Sequence, residues 1–426
     1  MNQLTIKPVR SISGEVTLPG SKSLTNRVLL LAALANGKTE INNLLKSDDT
    51  SHMIAALSQL GTEISQDENK AVVNGNSGLF QPPEQKTFFL GNAGTAIRPL
   101  TAILSLIPGF YTVDGDEYMR ERPIAHLIDA LSDLGAKISY SQNQGCPPLM
   151  IEGGHIKGGE VKVAGHVSSQ YLTALLMSLP LVKEESVINV IGEQVSKPYL
   201  DITLQTIKDF GVSVCNEEYK TFRIPGGQKY KTPGSYLIEG DASSASYFFA
   251  AAAIKGSTTV RGLGRYSVQG DIQFLDTIER MGARVERYRD HIIVSKGKLK
   301  GVDVDLNHIP DAAMTIAIMA LFAEGTTHIR NIYNWRVKET DRMTAIATEL
   351  RKLGASVQTT EDSIIIKPPR QLTAAEIETY GDHRMAMVFS LAALGGIPVT
   401  IKDPDCTKKT FPNYFTEFAK ICQSNV

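Results

Sequence analysis

A short polar or glycine turn that opens an Ala/Leu-rich helix occurs six times in this 426-residue chain. It reads GSKSLTNRVLLLAALANG at 20–37, GNAGTAIRPLTAILSL at 91–106 and HVSSQYLTALLMSLPL at 166–181. It returns as GDASSASYFFAAAAIKG at 240–256, HIPDAAMTIAIMALFAEG at 308–325 and GDHRMAMVFSLAALGG at 381–396. With Ser23, Thr95, Ser169, Ser243, Asp311 and His383 as markers, the steps are 72, 74, 74, 68 and 72 residues. Self-similarity at a fixed period means one supersecondary unit used repeatedly, which decides the architecture before any local reading. A second helix follows in each of the first five units and stops at a glycine: Gly61, Gly135, Gly211, Gly282 and Gly354. Glycine just past a helix takes the left-handed cap without a Cβ penalty. Strand-like stretches lie between and after the helices, so the unit reads strand–helix–strand–helix–strand–strand. Chance likeness among α/β segments does not explain near-equal steps in two independent landmarks.

Six units in a chain of this length exceed what one core holds, so three units per domain are expected. The last unit stops after its second helix, FPNYFTEFAKIC, without closing strands. The spare N-terminal strand TIKPV is placed to supply part of what is missing. On that reading one domain is discontinuous, residues 1–20 with 240–426, and the other runs from 21 to 239. The chain then crosses between domains near Pro19-Gly20 and near Gly240.

Composition narrows the function. Lys and Arg total 44 against 45 Asp and Glu, a formal net charge of −1. A nucleic-acid binder would carry a basic excess, so any basic site here is a local concentration. Cys146, Cys215, Cys406 and Cys422 are scattered with no C-x-x-C pair, which argues against a zinc site or a disulfide framework and suits a reducing cytosol. The apolar runs VLLLAALA (28–35) and MTIAIMALFA (314–323) are shorter than the roughly 20 residues a membrane span needs. MNQLTIKPV opens on strand-like residues with no signal core, so a cytoplasmic protein is expected.

The starts of the helices carry unusual residues. Helix N-termini favour acidic groups because of the macrodipole. This chain instead places Lys22, Arg27, Arg98, Arg122, Lys338, Arg342, Arg384 and Lys409 at or near helix starts. Each alone reads as a solvated surface charge, but their recurrence at equivalent points of a repeat reads as one site for phosphate and carboxylate groups. Ser23, Thr95, Ser168, Ser169 and Ser196 read equally as N-caps or as ligand donors, since a cap can do both. Gln170 and Asn334 suit loop orientation or hydroxyl binding, and Tyr199 suits packing at a helix start. Lys338 and Arg342 are four apart and are expected on one helix face, with Glu339 and Asp341 to neutralise them. In GDHRMAM, Asp382 is placed to cap, and His383 and Arg384 to face a cleft.

No Walker A loop, dinucleotide G-x-G-x-x-G, H-E-x-x-H or G-x-S-x-G is present. Group transfer between anions remains, with acid–base help and neither cofactor nor metal.

The blocks LPGSKSLTNR, LGNAGTAIRPL, MRERPI, GHVSSQYLTALLM, VSKPYLDIT, EGDASSASYF, NHIPDAAMT, NWRVKETDR, YGDHRMAM and KKTFPNYF occur in this order over nearly the whole chain. At these residues the sequence resembles the 5-enolpyruvylshikimate-3-phosphate synthase family of enolpyruvyl transferases. Thr25 stands where that family commonly has Ser, and it keeps the hydroxyl. The resemblance implies an inside-out α/β barrel of six βαβαββ repeats, three per domain, with the active site in the cleft between two domains. It implies transfer of the enolpyruvyl group of phosphoenolpyruvate to shikimate 3-phosphate, with release of phosphate. Lys22, Ser23, Arg27, Ser168, Ser169, Gln170, Ser196, Tyr199, Asp311, Asn334 and Lys338 match the shikimate-phosphate contacts. Lys22, Asn92, Gly94, Thr95, Arg122, Gln170, Arg342, Arg384 and Lys409 match the phosphoenolpyruvate side. Asp311 and Glu339 match the proposed base and proton donor, with Lys22 and His383 close by. The resemblance also implies a monomer inhibited by glyphosate, with Gly94, Thr95 and Pro99 in the pattern of the sensitive class.

Two rival readings are tested by the same residues. The related transferase acting on UDP-N-acetylglucosamine has the same fold but GAKNA-like residues near its start, and usually a cysteine where this chain reads DGDEYMRERP. A non-catalytic clamp for RNA or a phosphorylated metabolite fits poorly with near-neutral charge and with Asp311 and Glu339 amid cations.

Overall fold

The structure is a computed structural model and describes residues 2–80 and 87–424. The chain divides into two compact units, Gly20–Ile238 and Met1–Pro19 with Glu239–Val426. Each has its own hydrophobic core.

In Gly20–Ile238 the helices are α1 (Lys22–Leu34), α2 (Asp48–Gln59), α3 (Gly94–Leu106), α4 (Ala125–Asp133), α5 (Ser169–Ser178) and α6 (Lys197–Asp209). Almost every residue of α1, α3 and α5 is buried. A helix that is apolar all round belongs inside a core, not on its surface. The helices α2, α4 and α6 bury one face only. Three four-stranded sheets cover the buried helices, all with one pattern. Thr87–Phe89 runs parallel to Gly109–Asp114, which pairs antiparallel with Leu149–Gly153, itself antiparallel to Lys137–Tyr140. Glu160–Ala164, Ser186–Ile191, Thr221–Ile224 and Cys215–Glu217 repeat it, as do Ser235–Leu237, Asn36–Asn42, Lys70–Asn76 and Glu63–Asp67.

The other unit holds α7 (Ala242–Lys255), α8 (Phe274–Met281), α9 (Pro310–Met319), α10 (Arg342–Lys352), α11 (His383–Ser390) and α12 (Tyr414–Ile421). Here α7, α9 and α11 are the buried helices. Two sheets follow the same pattern, built around Ser257–Arg261 and Thr327–Arg330. In the third, Ala375–Ile377 lies parallel to Val399–Lys402, and the antiparallel neighbour on the far side is the N-terminal strand Gln3–Ile6.

The five glycines expected to stop helices all take positive φ, between 79° and 114°. Two strands are exchanged in a way the periodicity conceals. Glu15–Thr17, which precedes α1 in the chain, pairs with Ser257–Arg261, whereas Ser235–Leu237, which precedes α7, pairs with Asn36–Asn42. The chain passes between units at Pro19/Gly20 and Ile238/Glu239. A Cβ on Gly20 would meet the Asn43 carbonyl, and one on Gly240 would lie 2.9 Å from Leu18 Cβ. Glycine is therefore needed at both passages for space.

Candidate active site

In the unit that contains α9, three helix starts supply one charged network. Pro310 opens α9 and puts Asp311 in its first turn. The Trp335 indole donates to the Pro310 carbonyl at 2.7 Å and pins the turn carrying buried Asn334 onto that helix start. Asp341 caps α10 by accepting from Thr344 N at 3.2 Å, so Arg342 is the first helical residue. Asp382 caps α11 by accepting from Arg384 N at 2.8 Å.

Arg342 is buried and donates in three directions: Nη1 to Asp311 at 2.8 Å, Nη2 to Glu339 at 2.8 Å and Nε to Asp382 at 2.7 Å. Arg384 donates to the other oxygen of Asp311 at 3.0 Å and to the Tyr247 hydroxyl at 3.1 Å. Lys338 Nζ stands 3.7 Å from Asp311. Burial acts to raise the Asp311 carboxyl, but Arg384, Lys338 and Arg342 outweigh it and hold the group well below its ordinary range. Burial likewise opposes the Arg342 charge, and Asp382, Glu339 and Asp311 more than offset it. His383 is fully buried, its Nδ1 3.5 Å from Asp382. Lys409, also buried, ends a short 3-10 turn, Pro404–Lys409, packed on α11.

In Gly20–Ile238, Lys22 is the first residue of α1 and lies 3.2 Å from the buried Asp49 carboxylate. Arg122 donates to both the carbonyl and the side-chain oxygen of Asn92, at 3.1 and 2.7 Å. Gly94 begins α3 where a Cβ would lie 2.6 Å from Arg98, 2.8 Å from Arg122 and 3.0 Å from Gln170. Those three polar side chains therefore converge on one point of bare backbone. Asn26 donates to Thr95 at 2.7 Å and ties α1 to α3. Ser168 caps α5 by accepting from Gln170 N, and Ser169 is its buried first residue.

Arg27 is more involved in internal bonding than its sequence position suggests. Its guanidinium donates to Thr203 at 2.9 Å, Thr173 at 3.3 Å, and the carbonyls of Ser23 and Tyr199 at 2.8 and 3.2 Å, bracing α1 against α5 and α6. Burial lowers it to about 10, with Tyr199 pushing the other way, so it stays cationic at neutral pH. Ser196 sits before α6 at φ 55°, an uncommon conformation for a residue with a Cβ, with no side-chain cap bond. The starts of α1, α3 and α9 also lack a side-chain cap. Their first N–H groups thus offer donors beside the cations.

Three expectations are corrected. Lys338 and Arg342 do not share a helix face, because α10 begins at Arg342. They meet instead at Asp311. Of the five hydroxyl residues read as caps, Ser168 alone accepts a capping bond, while Thr95 accepts from Asn26 and Ser23 lies inside α1. The neutralising acids also differ: Asp341, expected beside Lys338 and Arg342, pairs with Arg336 at 3.1 Å, while Asp49, Asp311, Asp382 and Glu339 pair with Lys22, Lys338, Arg342 and Arg384. Asp49 and Tyr247 escaped the sequence reading. Asp49 falls in a capping-box helix start, where an acid needs no further explanation.

The family model described as EPSP synthase (3-phosphoshikimate 1-carboxyvinyltransferase) matches residues 6–418. A curated 3-phosphoshikimate 1-carboxyvinyltransferase of Sulfurovum sp. (strain NBC37-1) is 59% identical over 424 residues, covering 99% of both chains. That of Vibrio vulnificus (strain YJ016) is 56% identical over 426 residues, 99% of this chain and 100% of the relative. Among solved structures, an EPSP synthase from Acinetobacter baumannii superposes with TM-score 0.83 at 27% identity, covering 99% of this chain and 98% of that one. The enolpyruvyl transferase NikO from Streptomyces tendae gives TM-score 0.80 at 17% identity, covering 99% and 98%, a likeness of mixed α/β fold alone.

Proposed function

Because this chain belongs to the EPSP synthase family, we propose that the charged helix starts described above bind its two anionic substrates and move their protons. The chain transfers the enolpyruvyl group of phosphoenolpyruvate to shikimate 3-phosphate in the shikimate pathway. The acceptor is the 5-hydroxyl, and phosphate leaves by addition and elimination. The UDP-N-acetylglucosamine and binding-clamp readings fall with that assignment.

The observation that carries the proposal is one carboxylate, Asp311, clasped by two arginines beside a second, Glu339. Addition needs a proton taken from the acceptor hydroxyl and one delivered to the methylene carbon. Elimination then expels phosphate and returns the carbon proton. Asp311 is the base and Glu339 the carbon acid, with Lys22 and His383 in support. While both arginines hold it, Asp311 is ionised but weakly basic, since a useful base has a pKa nearer the working pH. A substrate carboxylate that takes donors from Arg342 and Arg384 relaxes that hold and raises Asp311 towards basicity.

Phosphoenolpyruvate is assigned to Lys22, Asn92, Gly94, Thr95, Arg122, Gln170, Arg342, Arg384 and Lys409. Planar guanidinium forks suit its carboxylate and phosphate, and lysines add point charges. Shikimate 3-phosphate is assigned to Lys22, Ser23, Arg27, Ser168, Ser169, Gln170, Ser196, Tyr199, Asp311, Asn334 and Lys338. For Arg27 the bonds to Thr203 and Tyr199 favour a bracing part, with its charge acting at short range. Six βαβαββ repeats, three in each unit, are the architecture we assign. A monomer acting in the cytoplasm and inhibited by glyphosate completes the reading. The deciding experiment is phosphate release: it should require both substrates, and release with phosphoenolpyruvate alone would sink the assignment.

A further inference from the structure

The turn that delivers Asp382, His383 and Arg384 is strained and held from outside. Tyr380 and Gly381 both have positive φ, 54° and 66°, and Asp382 N–H closes the turn on the Thr379 carbonyl at 2.9 Å. Two successive left-handed residues mark a type I′ turn, which Gly and Asn enter readily. For a bulky aromatic such as Tyr380 the conformation is an outlier and persists only where the surroundings impose it. The only side-chain hydrogen bond that Tyr380 makes among the described residues runs from its hydroxyl to Glu349 Oε1, at 2.7 Å.

Glu349 is fully buried on α10. Its second oxygen accepts from Glu378 N at 3.3 Å and pairs with Lys352 at 2.7 Å. Burying a carboxylate is costly unless it is paired and bonded in this way. Arg342 lies seven residues earlier, two turns along the same helix face. The turn is therefore latched to α10 twice, by Asp382 on Arg342 and by Tyr380 on Glu349.

We propose that Tyr380 and Glu349 are positioning residues that hold the strained turn on α10 and so set Arg342 and Arg384 for the phosphoenolpyruvate carboxylate. This rests on the assignment of those two arginines to phosphoenolpyruvate. Among the described residues, neither Tyr380 nor Glu349 makes a side-chain hydrogen bond or ion pair with a residue assigned to substrate.

Tyr380→Phe removes one oxygen and keeps the ring. It should raise the KM for phosphoenolpyruvate by roughly three- to tenfold, the scale of one ordinary hydrogen bond. The KM for shikimate 3-phosphate should stay close to wild type, and kcat should change less than the KM for phosphoenolpyruvate. In a double-mutant cycle, Tyr380→Phe and Glu349→Gln should be clearly non-additive in that KM, because both act on one bond. Arg342→Lys is the control for the assignment itself. If it raises the KM for phosphoenolpyruvate while Tyr380→Phe does not, the latch is wrong and the assignment stands. An unmoved KM in Arg342→Lys overturns both. Equal losses for the two substrates with a lowered midpoint in Tyr380→Phe would mean ordinary structural support and also overturn the latch.

Discussion

Asp311 accepts a 2.8 Å hydrogen bond from Arg342, so the proposed base and a cation proposed to hold phosphoenolpyruvate are one hydrogen-bonded unit before any substrate arrives. Arg384 takes the other carboxylate oxygen at 3.0 Å. The arrangement keeps both guanidinium groups desolvated and aimed without leaving buried charge unpaired. On the proposal, an entering anion would replace an existing partner at those arginines instead of ordering loose side chains, and would change the basicity of the group it displaces.

The depressed Asp311 carboxyl predicts a specific acid response. A folded-state value below the ordinary 3.8 means the stabilisation is complete above the unfolded value and drains away as pH falls through the folded one. Asp311→Asn should therefore be less stable than wild type at pH 7, with cations left unpaired, yet lose less on going from about pH 4 to more acid solution. Urea midpoints across that range read the difference. Parallel decline of the two proteins would show that the arginines do not hold this carboxyl.

At Gly94 the prediction is steric. A Cβ there would stand 2.6 to 3.0 Å from Arg98, Arg122 and Gln170, so those polar ends must move. Gly94→Ala should raise the KM for phosphoenolpyruvate by roughly tenfold, as expected when a charged hydrogen bond is misplaced. Inhibition by glyphosate should weaken further, because the longer anion needs the same bare backbone. Unchanged inhibition with unchanged KM would mean that the three side chains are not part of the anion site.

No divalent ion should be needed, since the proposal gives the charge-neutralising role to Lys22, Arg122, Arg342, Arg384 and Lys409 on the protein itself. Activity should survive exhaustive chelation. A loss that a divalent ion restores would contradict this.

The sequence was most legible where a residue type answers a local backbone demand. Gly61, Gly135, Gly211, Gly282 and Gly354 end helices because left-handed backbone selects glycine, whatever the tertiary setting. Buried helices such as α9 could be read from unbroken apolar runs. Strand partners were not legible. Glu15–Thr17 and Ser235–Leu237 are three residues long, and alternation over three residues names a face without naming a neighbour. The break between Lys338 and Arg342 was missed because NWRVKETDRMTAIATEL holds no Gly or Pro to mark it. Its signal was Asp341 with Thr344 three residues later, an N-cap pattern that stops the helix short of Lys338. Ion-pair partners such as Asp49 for Lys22 depend on tertiary approach and leave no trace in spacing.

The acid–base division between Asp311 and Glu339 yields the last prediction. Glu339 receives a 2.8 Å bond from Arg342 and is almost as enclosed as Arg342 itself, with 8% of its side chain exposed. That pair must loosen before Glu339 can carry a proton to carbon. On the proposal, a substrate carboxylate competing for Arg342 would supply the means. Asp311→Ala and Glu339→Gln should each cut turnover by roughly 10²-fold or more, the scale of general acid–base groups. Binding of shikimate 3-phosphate should survive better in Glu339→Gln, because Asp311 is assigned a substrate contact and Glu339 is not. Solvent deuterium exchange into the methylene of phosphoenolpyruvate separates the two, as it reports carbon protonation and its reversal. Exchange should nearly vanish in Glu339→Gln. If it continues at the wild-type rate, Glu339 is not the carbon acid, and Lys22, 3.2 Å from Asp49 at the head of α1, takes that role.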